Sequence, residues 1–449
     1  MSMPSSLEKG LFIFSVALFA YLGGFATRWH DWFPNAHLER ASRQTTALLT
    51  TWSAGPPNLH DKVYDRSGAQ TVLPDRVQPG LTLITSSWST DEGWTAGLNL
   101  IDEGGAAVHR WRFDRRRLFP DSVDRRGNPA LKAIHGTHLF PNGDVLVNVE
   151  YVGTARLDAC GRVQWRLSAG SHHAISRTEA GSFWIPGTSR TPRAGSEQYP
   201  DGFPGIEGRV WLDQLLHVTA EGAVTDKLNV LDVLYANDLE RYLFKAYKPN
   251  RVPGHRKGGG RDVTHLNDVE SLSSSMADEY PTFEAGDLLI SLRYIDLVLV
   301  LDPQSKTVKW HTRTSLIQQH DPDFIGDGWI GVFNNNTDYS NRGATLGGSQ
   351  IVTFQPHTDS MNVRFPSSRS KPFYTNTRGK WQQLANGNML LTEANAGRVV
   401  EVTSNGRTVW EWIKAPYEEG QVPVVTKGTR YDLSRDDVAA WSCSNKPSR

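Results

Sequence analysis

The chain has 449 residues, in which 48 Lys and Arg balance 48 Asp and Glu. A zero formal charge, with no basic run longer than Arg115-Arg116-Arg117, argues against nucleic-acid binding. Two cysteines, Cys160 and Cys443, are too few for a disulfide scaffold or a cysteine-rich zinc site, and the sequence leaves open whether they pair. With 38% hydrophobic residues, 40 Gly, 24 Pro and 15 Trp, the composition is that of a large all-β chain of short strands and tight turns.

From Gly10 to Thr27 the chain carries no charge. At about 1.5 Å per residue this stretch makes roughly 27 Å of helix, enough to cross a bilayer. We expect an uncleaved transmembrane anchor. A cleaved signal peptide, with Gly23-Gly24-Phe25-Ala26-Thr27 near the cut, and a buried helix are the alternatives. Lys9 before the segment and Arg28, Arg40 and Arg43 after it leave the orientation undetermined by charge. Leu38, Ala41, Thr45, Leu48 and Trp52 then recur at helical spacing, which predicts a short helical linker. The domain plan is a transmembrane segment over 1–28, a partly helical linker over 29–80, a repeat domain over 81–430 and a tail over 431–449.

Self-similarity runs through the repeat domain. His135 to Asn148 followed by Thr154 to Trp165 matches Gln382 to Thr392 followed by Gly397 to Trp410. Each unit reads strand, Asn-Gly turn, strand, strand, turn, strand, and a Trp follows the second turn glycine (Gly161, Gly406) by four residues. Weaker copies lie at 101–111, 181–222, 286–310 and 328–361. Six four-stranded units that bury their faces only against one another predict a six-bladed β-propeller, preceded by the N-terminal transmembrane helix and the short helical linker. Insertions at about 188–209, 236–262 and 338–349 are expected to shape one face.

Eight residues before the first-turn glycines Gly143, Gly181 and Gly328 stand His135, His173 and His320. His265 takes the same place in the fourth unit if its hairpin holds about a dozen extra residues around 273–282. The sixth unit has Gly379 there, and the first has no clear equivalent. The start of each innermost strand faces the channel, so these imidazoles should converge at one end of the axis. They fit either a transition-metal site or a nucleophile with anion-stabilising partners. Alternation places Asn267 on the face of His265, and the antiparallel return brings Arg293 beside it. Arg repels a metal, so the cluster suits an oxyanion better. Glu150 and Glu393 lie nearby in register, while Asp321 should face away from the channel and be structural.

Thr264-His265-Leu266-Asn267, Ser291-Leu292-Arg293, Gln319-His320-Asp321-Pro322 and Gly397-Arg398-Val399-Val400-Glu401-Val402 with Trp410 together resemble the bacterial arylsulfate sulfotransferases over about 130–413. The resemblance implies a six-bladed propeller that moves sulfuryl groups from an aryl sulfate donor to a phenolic acceptor, with no cofactor and no nucleotide donor. It implies His320 as the transiently sulfated nucleophile, with His265 and Arg293 also catalytic. Asn267 and His173 would bind substrate, His172 being one residue from the place of His173, and His135 joins them by its place in the register. Trp329, Phe333 or Tyr294 would stack on the aryl ring or belong to the core. The periplasmic members carry a cleaved signal, an N-terminal β-sandwich and a closely spaced cysteine pair that this chain does not show. The expected address is the inner membrane, single-pass, with the propeller on the periplasmic side and a membrane protein as a further partner. A non-catalytic membrane-anchored docking propeller and a metal-dependent hydrolase are the alternative functions.

Overall fold

The computed structural model describes residues 6–30, 58–91, 93–113, 118–120, 134–244, 255–257, 259–338, 340–417 and 419–442. Two compact units divide the chain, 1–55 and 56–449. In the first, a helix spans Ser6–His30 and leaves Leu11, Phe12, Ile13, Phe14, Phe19 and Phe25 exposed. Among the described residues no helix is long and apolar enough to cross a membrane. The predicted linker helix and the basic run at 115–117 lie outside the described residues.

The second unit is a six-bladed propeller of antiparallel sheets, five of four strands and one of five. Its middle strands read as unbroken apolar runs, such as Leu297–Leu301, because both faces pack against neighbouring blades. Outer strands such as Val224–Asn229 are mostly exposed and polar.

The repeated tryptophan has a structural use. Nε1 of Trp111 donates to the Asp158 carbonyl (3.3 Å), Trp165 to that of Ala220 (2.9 Å) and Trp410 to that of Glu103 (2.7 Å). Each bond ties the outer strand of one blade to the second hairpin of the next. The turn glycine Gly222 has φ +86°, and a Cβ there would come within 2.6 Å of the Trp165 ring. No side chain is accommodated at that contact.

The ring closes with strands from both ends of this unit. Val425–Tyr431 forms the innermost strand of the first blade, pairing with Leu81–Thr90. Gly68–Thr71 adds a fifth strand outside the sixth blade, pairing with Thr408–Ile413. The first blade therefore borrows its inner strand from the C-terminal end of the propeller, and this is why counting back from its own turn finds no channel histidine. The inner strands of blades two to six begin at or beside His135, Ser176, Leu266, His320 and Lys380. Up-and-down connectivity puts the strand ends that lead into and out of the three insertions on the face where these strands start.

Candidate functional site

On that face the rings converge around His173. Its ring centroid lies 4.2 Å from that of His135, 5.2 Å from His265 and 6.5 Å from His320. A cavity of about 410 Å³ continues down the channel, lined by His135, His173, Asn267 and His320 and farther in by Asp268, Asp323, Lys380 and Lys427.

Backbone geometry at the strand starts departs from simple alternation. His173, His265 and Asp321 adopt left-handed φ of 55°, 52° and 49°, and bulges interrupt the ladder between Leu266 and Asp268 and between His320 and Pro322. Non-glycine residues hold this conformation at a cost of roughly 1–3 kcal/mol each, and such strain concentrates at functional sites. The bulges also correct one expectation. Asp321 does not turn away from the channel: it lines the cavity, and its carboxylate takes the Lys380 ammonium (2.6 Å) and the Trp381 backbone N–H (2.8 Å).

His265 is held by a buried carboxylate, with Nδ1 3.0 Å from Asp262 Oδ2, and packs on Tyr294 at 4.5 Å. The Arg293 backbone N–H donates to the His265 carbonyl (3.1 Å), and its guanidinium donates to Gln318 Oε1 (2.6 Å) and lies 5.5 Å from the Tyr294 ring. Asn267 is 2% exposed and donates its amide N–H to the Gln319 carbonyl (2.8 Å). Among the described residues its Oδ1 has no hydrogen-bond partner, and its side chain borders the cavity. His320 is 5% exposed, with Nδ1 2.6 Å from Asn335 Oδ1 and 3.2 Å from the Gln318 carbonyl. Of the aromatic candidates, Tyr294 alone packs beside the histidines. Phe333 belongs to the core between blades five and six, and Trp329 sits in the hairpin turn at the far end of the His320 strand.

The site favours neutral imidazoles. Burial holds His320 well below the ordinary histidine range; the Arg293 charge pushes the same way and the Asn335 hydrogen bond opposes it. Burial and then the neighbouring imidazoles do the same for His173, and burial takes His135 down to about 3. Deeper in the channel, burial raises Asp323 to about 7 and lowers Lys427 to about 8. Burial opposes the Lys380 charge, but Asp321, Asp323 and Asp268 outweigh it and raise Lys380.

Sequence reasoning missed several residues that order this face. Asp213 accepts from Thr264 Oγ1 (2.6 Å) and the Leu266 N–H (2.9 Å) and lies 3.9 Å from His172 Nε2. Arg378 is close enough to His135 to bear on its charge. The run Asn334-Asn335-Asn336 is a signal in the sequence for this face, since three consecutive amides at a strand end are unusual for a sheet. Glu150 acts on His135, whereas Glu393 is used up by Tyr64, Arg342 and Arg398. Among the described residues no group of three or more His, Cys, Asp or Glu side chains is placed to hold a metal ion. Cys160 is disulfide-bonded, and Cys443 lies outside the described residues.

The model of the family described as arylsulfotransferase (ASST) matches residues 136–415. No curated protein matches the chain. Among solved structures, a protein of unknown function from Bacteroides caccae is 12% identical, covering 77% of this chain and 99% of its own, with a TM-score of 0.47. The Pan2 WD40 domain of Neurospora crassa is 10% identical over 82% of this chain and 95% of its own, at a TM-score of 0.41. Virginiamycin B lyase from Staphylococcus aureus is 10% identical over 83% and 91%, at a TM-score of 0.38.

Proposed function

Since this chain belongs to the arylsulfotransferase family, we propose that it transfers a sulfuryl group from an aryl sulfate to a phenol through a sulfated His320, with no nucleotide donor. The observation that carries this reading is the convergence of a buried His320 with Arg293, Asn267 and three further imidazoles, those of His135, His173 and His265, at the channel mouth. A ring-nitrogen lone pair of His320 forms the N–S bond as the S–O(aryl) bond breaks, and the phenolate leaves with the electron pair. A phenol then attacks the same sulfur and the N–S pair returns to the ring. Arg293 donates to the sulfuryl oxygens, where charge-assisted hydrogen bonds are strongest, and the second amide N–H of Asn267, the one not given to the Gln319 carbonyl, adds a donor. His265 backed by Asp262 moves the proton, giving it to the departing phenolate and taking it from the incoming phenol. His173 and His135 line the sulfuryl pocket, and Tyr294 offers a stacking face for the aryl ring.

We further propose that the N-terminal helix anchors the protein in the inner membrane with the propeller on the periplasmic side. The exposed apolar side chains between residues 10 and 25 and the disulfide-bonded state of Cys160, which suits an oxidising compartment, support this placement.

The test is to mix the protein with p-nitrophenyl sulfate and excess phenol, without nucleotide, and follow nitrophenolate by absorbance. Release that depends on phenol and vanishes in His320→Ala, with sulfated His320 in a quenched digest, is expected. No release and no sulfated peptide from folded protein would replace this reading with a docking propeller.

A further inference from the structure

Asn335 sits at the end of the second strand of blade five, just beyond Ile330–Asn334, beside the start of the strand that carries His320. It is fully buried. Its amide nitrogen donates to two backbone carbonyls, those of Thr375 (2.9 Å) and Arg378 (2.7 Å). A carbonyl can only accept, so both amide protons are committed and the orientation of the side chain is fixed by its partners. Its oxygen must therefore face the ring of His320, at 2.6 Å from Nδ1. The second neighbour of that nitrogen, the Gln318 carbonyl at 3.2 Å, is also only an acceptor.

The flanking asparagines brace this arrangement. Asn334 accepts from the Ile317 N–H (2.8 Å) and donates to the Ser315 carbonyl (2.9 Å), which pins the approach to His320. Asn336 donates to the Leu346 and Gly348 carbonyls, both at 3.0 Å, which pins the third insertion. Ser349 Oγ donates to the Asn335 carbonyl at 3.0 Å.

We propose that Asn335 is a positioning residue that locks His320 in the tautomer protonated at Nδ1, leaving the lone pair of Nε2 to attack sulfur. This rests on the sulfuryl-transfer reading above for the identity of the electrophile, though not for the state of the ring. Attack through Nε2 forms the N–S bond and breaks the S–O(aryl) bond, and the aryl oxygen leaves with that bond's electron pair. The ring keeps its Nδ1 proton and becomes positively charged, so the hydrogen bond to Asn335 strengthens as the bond forms. The same bond weakens again when the acceptor takes the sulfuryl group.

The test combines ring spectroscopy with kinetics on the full chain. Nitrogen-15 imidazole spectra, with the His320 signal identified by its loss in His320→Gln, should show the Nδ1–H form in the wild type. Asn335→Ala should give a mixture of tautomers and slow the burst of nitrophenolate about tenfold or more. Asn335→Asp, which keeps an acceptor beside Nδ1 and adds a charge, should retain the Nδ1–H form and move the acid limb of kcat/KM to higher pH. A wild-type ring protonated at Nε2 overturns the proposal. So does an Asn335→Ala protein with the wild-type tautomer and a burst within twofold of the wild type. A tautomer shift in Asn335→Ala with no sulfuryl transfer by the wild type sustains the lock and rejects the sulfuryl reading. If Asn335→Ala does not fold, the Asn335→Asp pair of readouts decides, an unshifted acid limb counting against the proposal.

Discussion

The Nδ1 atoms of His172 and His173 lie 2.7 Å apart, so one ring donates to the other and the tautomer of one dictates that of its neighbour. His173 faces His135, His265 and His320, while His172 is turned behind it against Tyr151 and Asp213. The geometry separates two residues that sequence spacing left ambiguous. His173→Ala should lower kcat/KM for p-nitrophenyl sulfate by about 10²–10³, as loss of an anion-facing group does. His172→Ala, which removes one hydrogen bond behind that group, should cost only about tenfold. Equal losses in steady-state assays would mean that the two rings act as one unit.

The blades were readable because their marks recur: a turn glycine, a fixed spacing and an outer-strand tryptophan that binds the next blade. The histidines were readable for the same reason, as a constant offset from Gly143, Gly181 and Gly328. What escaped was whatever depends on long-range closure or on local strain. Lys427 reaches the channel on a strand distant in sequence from the blade it completes. Asp321 lines the cavity because a bulge and a left-handed residue break the two-residue period on which the alternation argument stood. Asn335 owes its importance to carbonyls some 40 residues away.

Neutral buried histidines make the fold sensitive to acid. The folded state holds His135 unprotonated down to about 3, while in the unfolded chain it protonates near its ordinary value of 6.5. Between these values the unfolded state binds more protons, so stability falls as pH falls through that window. Urea midpoints measured from pH 7 to pH 4 should therefore decline, and His135→Asn should show a shallower decline than the wild type. Parallel curves for the two proteins would contradict this assignment.

The tryptophan ties predict a graded cost around the ring. Trp410 is fully buried at the seam where the first and last blades meet. Trp410→Phe opens a void in the buried seam as well as removing the bond to the Glu103 carbonyl, and should cost about 1–3 kcal/mol. Trp165 is only half-buried, so water can replace its bond to Ala220 and Trp165→Phe should cost less than 1 kcal/mol, roughly. Equilibrium unfolding of the two variants checks the order, and a reversed order would show that the seam draws its stability from elsewhere.

Lys380 provides the sharpest electrostatic test. Its ammonium lies 2.6 Å from Asp321 and 3.6 Å from Asp323, in a channel where Asp268 adds a third carboxylate nearby. Lys380→Met removes the cation hydrogen-bonded to Asp321 and leaves its carboxylate buried with the Trp381 N–H and the more distant Lys427. Breaking a buried pair from one side costs about 3–5 kcal/mol, much of it the stranded charge. Asp321→Asn in the same background removes that charge while keeping an oxygen for the Trp381 N–H. The double variant should therefore be more stable than Lys380→Met alone, with a coupling of about 1–3 kcal/mol in the cycle. Additive single effects would mean that the carboxylates already share their protons and that Lys380 is not what balances the channel beneath His320.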